Sequence, residues 1–211
     1  MITTNNCLWF SAALFAFPYL ANASSITTGT PNFYGAGLSP TFGTLINFDN
    51  LTPMETLDAA AYTSAGVQSI VNNPGTNALI AYPYSQQSQP NEITTGPTDN
   101  YAGDITITFS KLSSEVGIGI AEDGTTQATL TVFGDSNNVL GNFVETVPSS
   151  TYDAYYIISD PSFDIHSIEI NAAQGLAIDD LQFTATPEPA SLGFATVGLV
   201  MLAGLRRRRA R

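Results

Sequence analysis

Gly103-Asp104-Ile105-Thr106-Ile107-Thr108-Phe109-Ser110, followed after a short polar step by Val116-Gly117-Ile118-Gly119-Ile120, decides the fold class. Ile105, Ile107 and Phe109 alternate with Thr106 and Thr108, and Val116, Ile118 and Ile120 with Gly117 and Gly119. Further on, Leu130 and Val132 alternate with Thr129 and Thr131. Successive side chains of an extended chain point to opposite sides, so a period of two marks strands with one buried face. Glu122-Asp123-Gly124 and Asp135-Ser136-Asn137-Asn138 interrupt them with residues that tolerate turn geometry. Working outward, strands are expected at Thr44 to Phe48, Ala78 to Tyr82, Val139 to Glu145, Tyr152 to Ser159, His166 to Ile170 and Leu176 to Phe183. Short strands at this spacing, without long helical periodicity, predict an all-β antiparallel β-sandwich over 44–184. Met54 to Ser64 is the one helical candidate, and Ser85 to Asn100 reads as a long surface loop. The segment 24–43, rich in Gly, Pro, Ser and Thr, reads as a flexible lead-in or a first edge strand.

The chain of 211 residues accommodates one such domain with extras at its ends. Charged residues make up 11%, 18 acidic against 6 basic, for a formal net charge of −12. That share is less than half of what soluble domains usually carry. Five of the six basic residues are Arg206, Arg207, Arg208, Arg209 and Arg211, which leaves Lys111 alone upstream. A basic footprint for nucleic acid is therefore excluded for the body. The single cysteine, Cys7, excludes a disulfide scaffold.

The two ends read as addresses. Cys7 to Leu20 is almost wholly apolar and is followed by Ala21-Asn22-Ala23. An apolar run too short to span comfortably, with the small residues Ala21 and Ala23 before the cut, predicts a signal peptide over 1–23, removed by signal peptidase. Its n-region carries no Lys or Arg. At the other end, Ala190 to Leu205 is an uncharged stretch of 16 residues. As a helix it would cover roughly 24 Å, short of a hydrocarbon core of about 30 Å. Arginines flanking it extend the usable length by snorkelling, and positive residues stay on the cytoplasmic side, so the body is expected outside. Pro187 and Pro189 stop the helix from growing outward. An uncleaved single-span anchor is the alternative reading of this tail.

Together, Pro187-Glu188-Pro189, the apolar span 190–205 and the Arg cluster 206–211 resemble the PEP-CTERM sorting signal, over 186–211. The resemblance implies an exported bacterial protein held briefly in the inner membrane by its tail. It further implies processing near Pro-Glu-Pro by an exosortase and a final place in the extracellular polysaccharide matrix or at the cell surface. With both ends removed, residues 24–186 hold 17 acids against Lys111, a formal −16, and 50 of these 163 residues are Ser, Thr or Asn. Such a body is suited to cations or neutral sugars and not to polyanions.

Ile46 to Leu51 and Ala177 to Phe183 resemble the first and last strands of a jelly-roll, galactose-binding-like sandwich. The resemblance implies that these strands lie side by side and that carboxylates there hold a structural calcium ion. From the residues themselves, Asp179 is in phase with Leu181 and Phe183 and so is expected on a buried face. A buried carboxylate is costly unless paired or metal-bound. An oxygen-ligand calcium site of Asp179 with Asp49 or Asp180 is one reading. A solvated strand-end carboxylate accepting backbone N–H bonds is the other.

No nucleophile elbow, phosphate-cradling loop or zinc motif marks an enzyme. His166, in phase with Ile168 and Ile170, reads as a strand residue at a sheet margin. The expectation is a non-catalytic binding or structural module, with no assigned catalytic residue. A small carbohydrate-active hydrolase built on a carboxylate pair is the alternative. Tyr82 and Tyr84 enter the long loop and Tyr101 leaves it; they are the candidate platform for stacking on polysaccharide, with strand packing as the competing explanation.

Overall fold

The computed structural model describes residues 24–32, 37–72, 79–82, 91–95, 103–122, 127–147, 154–173 and 175–185. The signal-peptide residues Ala21 and Ala23, the Pro187 to Pro189 motif, the span 190–205 and Arg206 to Arg209 lie outside these. Among the described residues no helix is long and apolar enough to cross a membrane.

The described chain is all-β and antiparallel. Its strands are β1 (Ser25–Gly29), β2 (Thr44–Ile46), β3 (Val67–Asn72), β4 (Ile80–Tyr82), β5 (Glu92–Thr94) and β6 (Gly103–Glu122). They continue with β7 (Gln127–Phe133), β8 (Val139–Thr146), β9 (Ala154–Ser159), β10 (Ile165–Ala172) and β11 (Leu176–Ala185). The two alternating runs that open the sequence argument belong to one strand, the 20-residue β6. Its first half lies between β3 and β10, with Ile107 opposite both Ile70 and Ile168. Its second half lies between β11 and β9, with Ile120 opposite Ile178 and Ala154. Between the halves the register slips: Ile165 and Ser167 of β10 face Ser113 and Thr108, so the stretch from Phe109 to Leu112 is the corner. A strand that passes from one sheet to another needs such a bend.

One layer is β3–β6–β10–β7–β8; the other runs from β1 through β9 and β6 to β11, which carries β2 and β5 on its far side, with β4 beyond β5. The two layers close on one apolar core. Ile105, Ile107 and Phe109 from one half of β6 join Val116, Ile118 and Ile120 from the other, with Leu130, Ile168, Tyr156, Ile158, Ile178 and Phe183. Phe109 and Phe183 meet across the layers at 5.1 Å between ring centroids. Burial at about 25 cal/mol per Å² of apolar surface makes this cluster the main stabilising element.

β2 lies beside β11, Leu181 opposite Ile46, as the jelly-roll likeness implied. Two expectations change. Met54 to Ser64 forms turns and a single 3-10 turn at Thr63–Ala65, because its backbone is spent on neighbouring segments: Met54 N donates to Ala81 O (2.6 Å), Leu57 N to Leu79 O (2.7 Å) and Ala59 O accepts from Ile70 N (3.0 Å). Amides and carbonyls bound sideways in this way, with others closed into i to i−3 turns such as Ala61 N to Asp58 O, are lost to an i to i−4 ladder. The expected surface loop Ser85 to Asn100 contains β5, and 91–95 are all buried. Of the two readings of the lead-in, Ser25–Gly29 follows the second: it is an edge strand, paired with β9.

The stretch 37–43 is held as well. The Gln182 amide anchors it from below: Oε1 accepts from Phe42 N (2.8 Å), and Nε2 donates to Pro40 O (3.2 Å) and to Tyr155 Oη (2.5 Å). These groups lie over Gly117, where an added Cβ would stand 2.1 Å from Tyr155 Oη. The glycine makes room for a second, smaller layer on the outside of the sheet.

Candidate functional site

Asp49, in the loop after β2, bonds to Asn91 at the start of β5, and the charges of Asp49 and of Asp179 in β11 both reach Tyr62, whereas that of Asp180 acts on Tyr155. β11 carries an extra residue at its two aspartates: Asp179 pairs with Gly119 and Gln182 with Gly117, so Asp180 and Leu181 together face Ile118. Asp180 adopts φ of 48°, the left-handed geometry that Asp tolerates better than most side chains. This bulge corrects the sequence argument for Asp179. A strict alternation would set Asp179 in phase with Leu181 and Phe183; the inserted residue breaks that phase. The burial itself is found, since Asp179 and Asp180 are both inaccessible. Asp179 Oδ1 accepts the Asp180 backbone N–H at 2.7 Å, within the strand and away from solvent.

Asp49 Oδ2 accepts from Asn47 Nδ2 (2.5 Å) and its Oδ1 from Asn91 N (3.5 Å), and partial burial pushes its carboxyl above the ordinary range against the opposing effect of the Asn91 bond. Asn91 was not legible as a site residue. It is fully buried, its Nδ2 donates to Leu51 O at 2.8 Å, and its Oδ1 has no hydrogen-bond partner. Tyr62 lies edge-on to Phe48 at 5.3 Å and donates to Asn50 Oδ1 at 2.9 Å. Burial pushes the Tyr62 hydroxyl up to about 12; the Asn50 bond works against this, and the charges of Asp179 and Asp49 add to it. Asp49, Asn91, Asp179 and Asp180 are hard oxygen donors of the type calcium takes. Among the described residues, no three His, Cys, Asp or Glu side chains are grouped so as to hold a metal ion, Asp49, Asp179 and Asp180 included.

The tyrosine platform divides differently. Tyr82 ends β4, its backbone opposite Glu92, while Tyr84 and Tyr101 lie outside the described residues. Tyr155 and Tyr156 are buried, Tyr155 under the lead-in and Tyr156 in the core, where its hydroxyl donates to Thr146 O at 2.5 Å. Strand packing accounts for both. His166 is half-buried at a register shift, and the core takes Ile165 in its place.

No protein-family model and no curated protein matches the chain. Among solved structures, a cleaved adhesin domain of Lys-gingipain is similar at TM-score 0.45 and 9% identity, over 66% of this chain and 98% of that one. A mutant of the family 29 carbohydrate-binding module CBM29-2 is similar at TM-score 0.34 and 14% identity, over 77% and 92%. A family 43 arabinoxylan arabinofuranohydrolase from Bacillus subtilis is similar at TM-score 0.35 and 9% identity, over 67% and 30%. Likenesses this distant assign neither family nor activity.

Proposed function

We propose that this chain is an exported bacterial protein of the extracellular matrix or cell surface. Its jelly-roll-like body acts as a non-catalytic binding or structural module for polysaccharide. The observation that carries the reading is the order of parts in the sequence: an apolar leader ending in Ala21-Asn22-Ala23, a body of formal charge −16, then Pro187-Glu188-Pro189, an apolar span and Arg206 to Arg209. Signal peptidase and an exosortase are the processing partners, and the tail is the transient membrane contact. Hydroxyl and amide side chains coat the body and match the hydrogen-bonding capacity of neutral sugars, while its charge disfavours acidic polymers.

The test is binding of the exported protein to a panel of neutral polysaccharides and to alginate as an acidic control. Retention on a neutral polymer and none on alginate is expected; no retention on any neutral polymer refutes the polysaccharide role. Tyr84→Ala tests the loop platform, with weakened retention expected. A structural calcium ion would draw on Asp49 and the unsatisfied Asn91 Oδ1 beside it, with the charge of Asp179 near by; Asp49, Asp179 and Asp180 do not form one ligand group. Bound calcium would stabilise the native state by mass action. A higher melting temperature with calcium than with chelator is expected, and identical curves refute the ion.

A further inference from the structure

Ser24, the first residue after the Ala21-Asn22-Ala23 signal, is buried, with only 8% of its surface accessible. Its neighbour Ser25 opens the β1 to β9 ladder opposite Ser159, which brings Ser24 to the residue after Ser159, the carboxylate Asp160. Ser24 Oγ donates to Asp160 Oδ2 at 3.0 Å. Asp160 is itself 2% accessible and firmly held. Its Oδ1 accepts from Ser162 N (2.7 Å), its own N donates to Ser114 O (2.8 Å) of β6, and its O accepts from Phe163 N (3.1 Å). One carboxylate oxygen is thus spent on the Asp160-Pro161-Ser162-Phe163 turn, and the other is aimed at Ser24.

A carboxylate this deeply buried is costly without a charged partner. The α-nitrogen of Ser24 is three covalent bonds from the Oγ that already touches Asp160. In the uncut chain this nitrogen is a neutral amide with one hydrogen at most to give. Cleavage after Ala23 turns it into a terminal ammonium with three donors, protonated for the most part at neutral pH because its ordinary pKa is about 8.

We propose that removal of the leader creates an ion pair between the new Ser24 α-ammonium and Asp160, so that export completes the fold by pinning β1 to the β9–β10 turn. The inference rests on the export reading above, and it gives the buried serine and the buried aspartate one explanation. Its consequence is that the protein is less stable before cleavage than after it. The edge strand β1, which pairs only with β9 among the described strands, is the element that gains.

The experiment is a double-mutant cycle on the full chain from Ser24, comparing a free with an acetylated α-amine in the native and Asp160→Asn backgrounds. Edman sequencing of protein exported by the native host runs beside it. Acetylation removes the charge and leaves every side chain in place. It should raise the unfolding constant on the order of tenfold in the native background, the strength of a charge-assisted hydrogen bond, and have little effect in Asp160→Asn. Equal effects of acetylation in the two backgrounds, or none in either, overturn the ion pair while leaving export intact. An exported protein that begins elsewhere than Ser24 overturns the export cut and the pair together. Should Asp160→Asn fail to fold, the neutral Asp160→Ser replaces it, with the acetylation effect expected to be lost; an undiminished effect overturns the pair.

Discussion

The two halves of β6 have the same sequence rhythm and opposite surroundings. In the first half Ile105, Ile107 and Phe109 are buried and Thr106 and Thr108 between them stay partly exposed; in the second, every residue from Val116 to Ile120 is buried. The first half is a one-sided strand whose threonines look outward beside Val71, Ser69, Ser167 and Glu169. The second is covered on both sides, by the core within and by Tyr155, Gln182 and the 37–43 segment without. The difference teaches that alternation with threonine and alternation with glycine are distinct signals. Threonine fills a face that meets water; glycine vacates a face that something else occupies.

The largest expected effect of that difference is at Gly117. A Cβ there would stand 2.1 Å from Tyr155 Oη and 3.0 Å from Phe42 Cζ, so Gly117→Val must expel the outer layer. A destabilisation of about 3 kcal/mol is expected from such overpacking, read by urea unfolding. Next is Gln182→Leu, which strands the Phe42 N–H and Pro40 O and should cost about 2 kcal/mol while loosening 37–43 to proteolysis. If Gly117→Val and Gln182→Leu leave the 37–43 segment protected, the two-sided account of the second half is wrong.

Alkaline pH probes the buried tyrosines. Burial, reinforced by the Glu145 charge, pushes the Tyr156 hydroxyl up to about 12 from 10. A folded-state pKa above the unfolded one means that the native state holds the proton longer. Stability should therefore be intact below pH 10 and fall between about 10 and 12, as the unfolded state ionises first. Tyr156→Phe should flatten part of that fall in a pH series of urea midpoints, and an unaltered slope would contradict the assignment. The smallest effect is expected at Thr106 in the first half. Its Oγ1 is buried without a hydrogen-bond partner, so Thr106→Val, which replaces that hydroxyl by a methyl of similar size, should leave stability unchanged or raise it by up to about 1 kcal/mol. A loss of about 1.5 kcal/mol or more would show that the hydroxyl does have a partner.

Much of the strand order was legible because apolar residues at every second position carry their own face assignment. β7, β8, β10 and β11 fall within a few residues of where alternation places them. β3 was not legible, because Val67-Gln68-Ser69-Ile70-Val71-Asn72 changes phase at a register shift between Val67 and Ser69. β5 was hidden in a polar run, where Asn91, Glu92, Thr94 and Thr95 are buried by tertiary contacts that composition does not announce. The same limit applies to the acidic residues. Asp49, Asp179 and Asp180 stood out as residue types, but the bulge that sets the phase of the last two and the buried Asn91 beside Asp49 exist only once β11 has its neighbours. Gln182 reads as an ordinary polar residue in a strand, and only the folded chain shows it holding the outer layer together.

Export with processing at both ends is the central proposal, and the intact mass of the protein recovered from outside the cells that produce it tests it most directly. The account predicts a single chain beginning at Ser24 and ending near Pro187 to Pro189, without the span and the arginines. A mass that retains Arg206 to Arg209, or the residues before Ser24, would contradict it.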